Sequence, residues 1–293
     1  MRSPVPLSAA ALSFTFLLGA HSQAYCLTHT CDPKTTACPL DSFGCNIGGK
    51  ALFWPSSCVS FDVQQDGSAK LQISYDTLHG VVQRAFDQWT GADCGDGAHP
   101  GIRVVDLGPV ACAKAEYNQS QPNANIVTFH DGHWTYTNSM ETIALTSVFF
   151  DRSSGAIYGA DIEINSDQNE FADGDPTDGQ VDLNAALTHE VGHFLGLAHS
   201  EVLSATMYWT YSSDAASLDS DDVAAICDSL PPDRTTTSDD CTPRHGFSGK
   251  CAVSDSGCCA VAIGCPRLGA LPFALFPLGL GLLLARRRFT RRR

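Results

Sequence analysis

The sequence predicts an α+β fold, on three observations. Short β-branched and aromatic runs recur through the first two thirds of the main segment. Two stretches, 76–90 and 182–195, have helical length, and the first carries an apolar face at helical spacing. A shorter helical stretch, 219–230, closes the segment. A strand layer carrying two long helices, with a small helical end, is an α+β pattern.

In order, residues 58–63 (CVSFDV) read as a strand. Residues 76–90 place Leu78, Val81, Val82, Ala85, Phe86 and Trp89 on one helical face, and Gly91 ends the run. Residues 102–107 and 125–130 read as strands. So do 145–150 and 157–164, joined across a Ser-Ser-Gly turn. Asp182 is placed to cap the second helix, 182–195.

The ends read differently. Arg2, an uncharged apolar run over 5–19 and the small residues Ser22 and Ala24 make residues 1–24 a secretory signal peptide, cut before Tyr25. Residues 268–285 carry no charge and precede six arginines. At about 1.5 Å per residue they span roughly 27 Å, barely a bilayer. The arginines should stay cytoplasmic, leaving the body of the protein outside. Thirteen cysteines fit an oxidising compartment. Setting aside Cys258, Cys259 and Cys265 leaves ten, an even number that permits complete pairing.

The expected organisation is therefore a signal peptide (1–24), a Cys-rich lead (25–50), a main domain (51–230), a polar Pro/Thr/Ser/Asp-rich linker (231–250) and a tail (251–293). The net charge is −14, and losing the eight arginines of leader and tail would take it to −22. So acidic a chain does not bind nucleic acid through its net charge.

The chemistry concentrates in His189-Glu190-Val191-Gly192-His193-Phe194-Leu195-Gly196-Leu197-Ala198-His199. Histidines four apart share one helix face, so both rings can reach one zinc ion. A straight helix cannot bring a third ligand from His199. Gly196 can turn the chain sharply because glycine tolerates positive φ. Three protein ligands leave a fourth position for water, the mark of a catalytic site. Glu190 leans over the metal without binding it, as a general base. Three histidines, a glutamate and a glycine at these spacings arise by accident on the order of 10⁻⁵ times per chain.

On this motif the chain resembles the metzincin metalloproteases. Ser200 after the third histidine, the stretch 205–211 (ATMYWTY), Leu183-Asn184 and Asp221-Asp222 resemble the matrixin branch, over roughly residues 51–230. The resemblance implies a mostly parallel twisted sheet, two long helices, a C-terminal helical subdomain and a zinc cleft between. It implies that Met207 lies under the metal in a Met-turn and that Tyr208, Trp209 and Tyr211 line a substrate pocket. It also implies an antiparallel edge strand that binds extended peptide, for which residues 155–165 are the candidate. No cysteine-switch segment of the matrixin type is found. Cys26, Cys31, Cys38 or Cys45 could supply a blocking thiolate, with disulfides the alternative. His130-Asp131-Gly132-His133 is a fragment of a structural zinc site or a polar loop. The order Gly257-Cys258-Cys259, apolar span, arginine cluster resembles the C-terminal sorting tags of myxobacterial surface proteins. A permanent single-span anchor is the other reading.

Asp167, Glu170, Asp173, Asp175 and Asp178 crowd into twelve residues. Calcium ligation and a solvated acidic loop are both open there, and Asp161 and Glu163 are weaker calcium candidates. The expected function is an exported, monomeric zinc endopeptidase acting on protein or peptide, touching membrane only through its tail. A catalytically silent surface binding or adhesion protein on the same fold is the rival, and a zinc hydrolase of non-peptide bonds a second.

Overall fold

The structure is a computed structural model that describes residues 24–136, 142–177, 179–212 and 216–252. The expected leader (1–24) and tail (251–293) fall outside these residues, apart from Ala24 and the first two tail positions.

In chain order the elements are β1 (Cys58–Val63), α1 (Tyr75–Thr90), β2 (Arg103–Asp106), β3 (Ile126–Phe129), β4 (Ala144–Phe150), β5 (Ile157–Ile164), β6 (Glu170–Ala172), β7 (Gln180–Asp182), α2 (Leu183–Phe194) and α3 (Ser220–Ser229). Five strands form one mixed sheet in the order β2-β1-β3-β5-β4, and β6 pairs with β7 apart from it. β2, β1, β3 and β5 run parallel, and β4 joins β5 antiparallel. The mixed α+β architecture is the one expected.

All six apolar positions of α1 are buried, because their spacing puts them on one side of the cylinder. The Ser74 hydroxyl accepts from the Thr77 amide at its start, and Gly91 ends it. Asp182 caps α2 by accepting from the amides of Asn184 and Ala185. Asp219 and Asp222 form a reciprocal capping box on α3. Phe86 stacks on Phe61 of the sheet at 4.9 Å and meets Phe194 of α2 edge-on at 5.1 Å. Trp89 and Trp54 each give their indole N–H to an α2 carbonyl, Thr188 at 2.7 Å and Phe194 at 2.8 Å. These contacts fix α2, the helix that carries the motif, against both α1 and the sheet.

Two expectations need correction. The antiparallel edge is β4, not 155–165. β5 lies inside the sheet between β3 and β4, and nearly all its residues are buried. β4 is mostly half-buried and, among the described residues, is the last strand of the sheet on that side. Both strands have the alternation of a hairpin arm, so composition alone did not say which arm lies outermost. Nor does 231–250 hang free as a linker. Cys58–Cys241 and Cys112–Cys251 sew it to the domain. The Arg234 guanidinium donates to the carbonyls of Gly101 at 2.7 Å, Trp54 at 2.6 Å and Ser56. Covalent and backbone bonds hold a stretch whose polar side chains suggested a tether.

All ten expected cysteines pair. Besides those two bridges, Cys94–Cys227 ties the loop after α1 to α3, and Cys26–Cys45 and Cys31–Cys38 close the lead. The four lead cysteines are therefore disulfides and not zinc-blocking thiolates. Among the described residues no helix is long and apolar enough to cross a membrane.

Candidate active site

α2 delivers His189 and His193 one turn apart, and the chain then reverses. Leu195 accepts the role of C-cap, and Gly196 takes φ +101°. A side chain at Gly196 would be strained there, and its Cβ would sit 3.3 Å from the Leu52 carbonyl. The lead braces the turned segment: the Thr28 amide donates to Gly196 O, and the Ala198 amide donates to Cys26 O. His199 thus swings back to the helix. The three imidazole centroids lie 4.8, 5.2 and 4.8 Å apart.

The rings are oriented as a metal needs them. His189 Nδ1 sits 2.7 Å from Thr206 O and His193 Nδ1 sits 2.9 Å from Leu197 O. Backbone carbonyls only accept, so each Nδ1 carries the proton and each Nε2 keeps its lone pair. His193 Nε2 and His199 Nε2 approach to 3.2 Å, and ligand atoms of all three residues lie within 4.8 Å of one another. Convergent lone pairs repel unless a cation joins them, so the donor set fits a zinc ion held by Nε2 atoms at about 2.0–2.1 Å. Burial, and then the neighbouring imidazoles, push His193 and His199 down to about 3, which keeps both neutral.

Beneath the histidines, Met207 is fully buried against Gly192, where any Cβ would lie 2.2 Å from its sulfur. The carboxylate of Asp222 holds this turn. Its Oδ1 accepts from the Met207 amide at 3.0 Å, and its Oδ2 from the Thr206 amide at 2.7 Å. Ser200 Oγ donates to Asp221 at 2.6 Å. The start of α3 therefore sets the floor of the site.

Above the histidines opens a cleft of about 460 Å³, bounded by β4 on one side and α2 with the segment after Met207 on the other. Trp209 and Tyr211 line it. Tyr208 does not: its backbone is bridged to Ser200. Trp209 is largely exposed at the rim, and the Tyr211 hydroxyl accepts from the Asp182 amide at the start of α2. At the other end of α2 the wall is Leu52 with Thr28 and Lys34 of the Cys-rich lead. Glu190 lies within the cleft, and its Oε2 is 2.6 Å from Thr146 Oγ1 on β4.

A sequence profile of the family described as Matrixin matches residues 53–229. The chain belongs to the matrixin family. Karilysin of Tannerella forsythia is 32% identical over 113 residues, covering 38% of this chain and 23% of karilysin. Matrilysin of Rattus norvegicus is 42% identical over 71 residues, covering 23% of this chain and 26% of the relative. Matrilysin of Mus musculus gives the same figures. The matched stretches span about a quarter of each relative.

Other expected sites of this matrixin lie elsewhere. Asp167 accepts from the Trp134 amide, Glu170 pairs with Lys70 at 3.2 Å, and Asp173 pairs with Arg84. Asp175 is exposed, and Asp178 is outside the described residues. Asp167, Glu170 and Asp173 thus go to three separate partners. Asp161 accepts from the amides of Ile126 and Glu116, and Glu163 from His130 and Tyr136. Asp131 accepts from the hydroxyls of Ser68 and Ser166, so 130–133 is a hydrogen-bonded polar loop. Among the described residues the other metal-capable group is Cys112, Glu116 and Cys251, and its two sulfurs are bonded to each other.

Sequence reasoning missed Thr146, Lys34 and Leu52. A threonine in a strand, a residue of a remote Cys-rich lead and a leucine just after that lead carry no local signal of a cleft. The Asp221-Asp222 pair was noted for its resemblance, but its grip on the Met-turn was not.

Proposed function

We propose that this chain is an exported zinc endopeptidase that hydrolyses protein or peptide substrates, with His189, His193 and His199 as the metal ligands and Glu190 as the general base. One observation carries the reading. Three imidazoles, two of them oriented by backbone carbonyls, converge at the floor of a cleft that also holds a carboxylate, and a strand edge unpaired among the described residues forms one wall.

β4 offers the backbone donors and acceptors of its free side, so an extended peptide adds to it as a further strand. That pairing carries the scissile carbonyl across the histidines. Trp209 and Tyr211 flank one substrate side chain at the end where α2 begins. When bound, zinc supplies Lewis acidity, which makes water acidic enough to ionise near neutral pH and polarises a carbonyl. Glu190 takes the proton from the attacking water and returns it to the leaving amine. The five disulfides among the described residues fit an exported protein. The signal peptide and a C-terminal sorting tag remain part of this reading.

The test is Glu190→Gln. The variant should bind zinc stoichiometrically and cleave a peptide library at least about 10³-fold more slowly, since general acid–base catalysis contributes up to about 10⁴-fold. A chelator should stop the wild type, and added zinc should restore it. Peptide cleavage by Glu190→Gln at the wild-type rate refutes the base assignment.

A further inference from the structure

We propose that Thr146 is a positioning residue for the general base: its hydroxyl anchors one oxygen of Glu190 and leaves the other for the proton in transit. The inference rests on the reading of Glu190 as the base.

Side chains alternate along β4. Ser147 is buried and bonds Tyr136 on the sheet face away from α2, whereas Thr146 reaches α2. Thr146 Oγ1 lies 2.6 Å from Glu190 Oε2 and 3.1 Å from Glu190 O. A hydroxyl has one proton to give. A charged carboxylate oxygen makes the shorter and stronger bond, so the proton goes to Oε2 and the carbonyl contact is secondary. The other carboxylate oxygen, Oε1, accepts no hydrogen bond among the described residues.

A glutamate has three rotatable torsions, and an untethered carboxylate would sample orientations in which neither oxygen meets the water. Thr146 removes that freedom. Its own backbone is part of the edge to which substrate adds, being paired with Ile162 of β5 on the inner side. The strand that aligns the peptide therefore also aligns the base, and one small displacement of β4 would move both together. An apolar side chain at 146 would fill the same space and hold the same strand without orienting the carboxylate.

The experiment compares Thr146→Val, which keeps the shape and loses the hydroxyl, with Thr146→Ser, which keeps the hydroxyl, in the full zinc-loaded chain. Zinc stoichiometry, Tm, kcat and KM on one peptide are measured, and the Glu190 rotamer is read from a crystal structure of the Val variant. The expected result for Thr146→Val is a kcat loss of roughly 10-fold or more, the worth of a hydrogen bond to a charged group. KM should stay within about twofold, with full zinc and a Glu190 carboxylate that has left its place beside residue 146. Thr146→Ser should recover most of the kcat. Wild-type kcat in Thr146→Val, with Glu190→Gln inactive, overturns the inference and spares the base. Equal losses in Val and Ser accompanied by lost zinc or a lowered Tm also overturn it, since that is a packing role. Full activity of Glu190→Gln overturns the underlying reading and this inference together.

Discussion

Replacing Gly192 by alanine tests the contact between the helix and the turn beneath the histidines. The new Cβ would lie 2.2 Å from Met207 Sδ, 3.1 Å from Met207 Cε and 2.9 Å from Trp89 Cζ2. Met207 is 1% exposed, and the Trp89 ring is held by its bond to Thr188 O, so neither neighbour can retreat into solvent. Forcing a methyl into such a core costs about 1–3 kcal/mol. Alanine in place of a helical glycine returns about 1 kcal/mol. With two buried neighbours in conflict the net is a loss of up to roughly 2 kcal/mol, read from urea unfolding of the metal-free, disulfide-intact chain. Thr206 precedes Met207 and its carbonyl orients His189, so displacing the turn should also weaken zinc binding. Met207→Ala in the same chain should relieve the clash, and the double-mutant cycle should show a coupling of at least about 1 kcal/mol. A Gly192→Ala chain that is about 1 kcal/mol more stable, with unchanged zinc affinity, would mean that propensity alone acts at this position and that Met207 is not packed there.

Two further outcomes follow from groups outside the cleft. Asp62 is fully buried, its Oδ1 has no hydrogen-bond partner, and burial pushes its carboxyl up to about 7 against hydrogen bonds from the Asn125 and Leu107 amides. The folded state then holds a proton that the unfolded chain releases near pH 4, so stability falls as pH rises between about 4 and 7. Asp62→Asn should flatten that slope and stabilise the chain at pH 8 but not at pH 4; a Tm profile unchanged in shape would refute it. Removing the Cys58–Cys241 bridge by alanine at both positions opens a loop of 183 residues and should cost about 2–5 kcal/mol. Residues 231–250 should then become a site of limited proteolysis, and continued resistance would show that Arg234 and the backbone bonds hold them unaided.

The chemistry of the site was legible because it is local. Two histidines at a spacing of four and a glycine before the third determine relative ring positions through helix geometry and one allowed φ, both properties of short range. Helix starts were legible for the same reason, at Asp182 and Asp219, where a side chain caps amides two or three residues on. What the tertiary structure alone decided is order and apposition. Whether β4 or β5 takes the edge depends on which strand β3 pairs with, a contact between 126–129 and 157–164 that neither segment encodes by itself. Apart from Cys31–Cys38, which are 7 residues apart, the cysteine pairs, the Asp222 grip on the Met-turn and the hydroxyl of Thr146 on Glu190 join residues from 15 to 183 positions apart. Contacts at such separations follow from how the layers close on one core, so the residue types name the chemistry, and packing decides which of them meet.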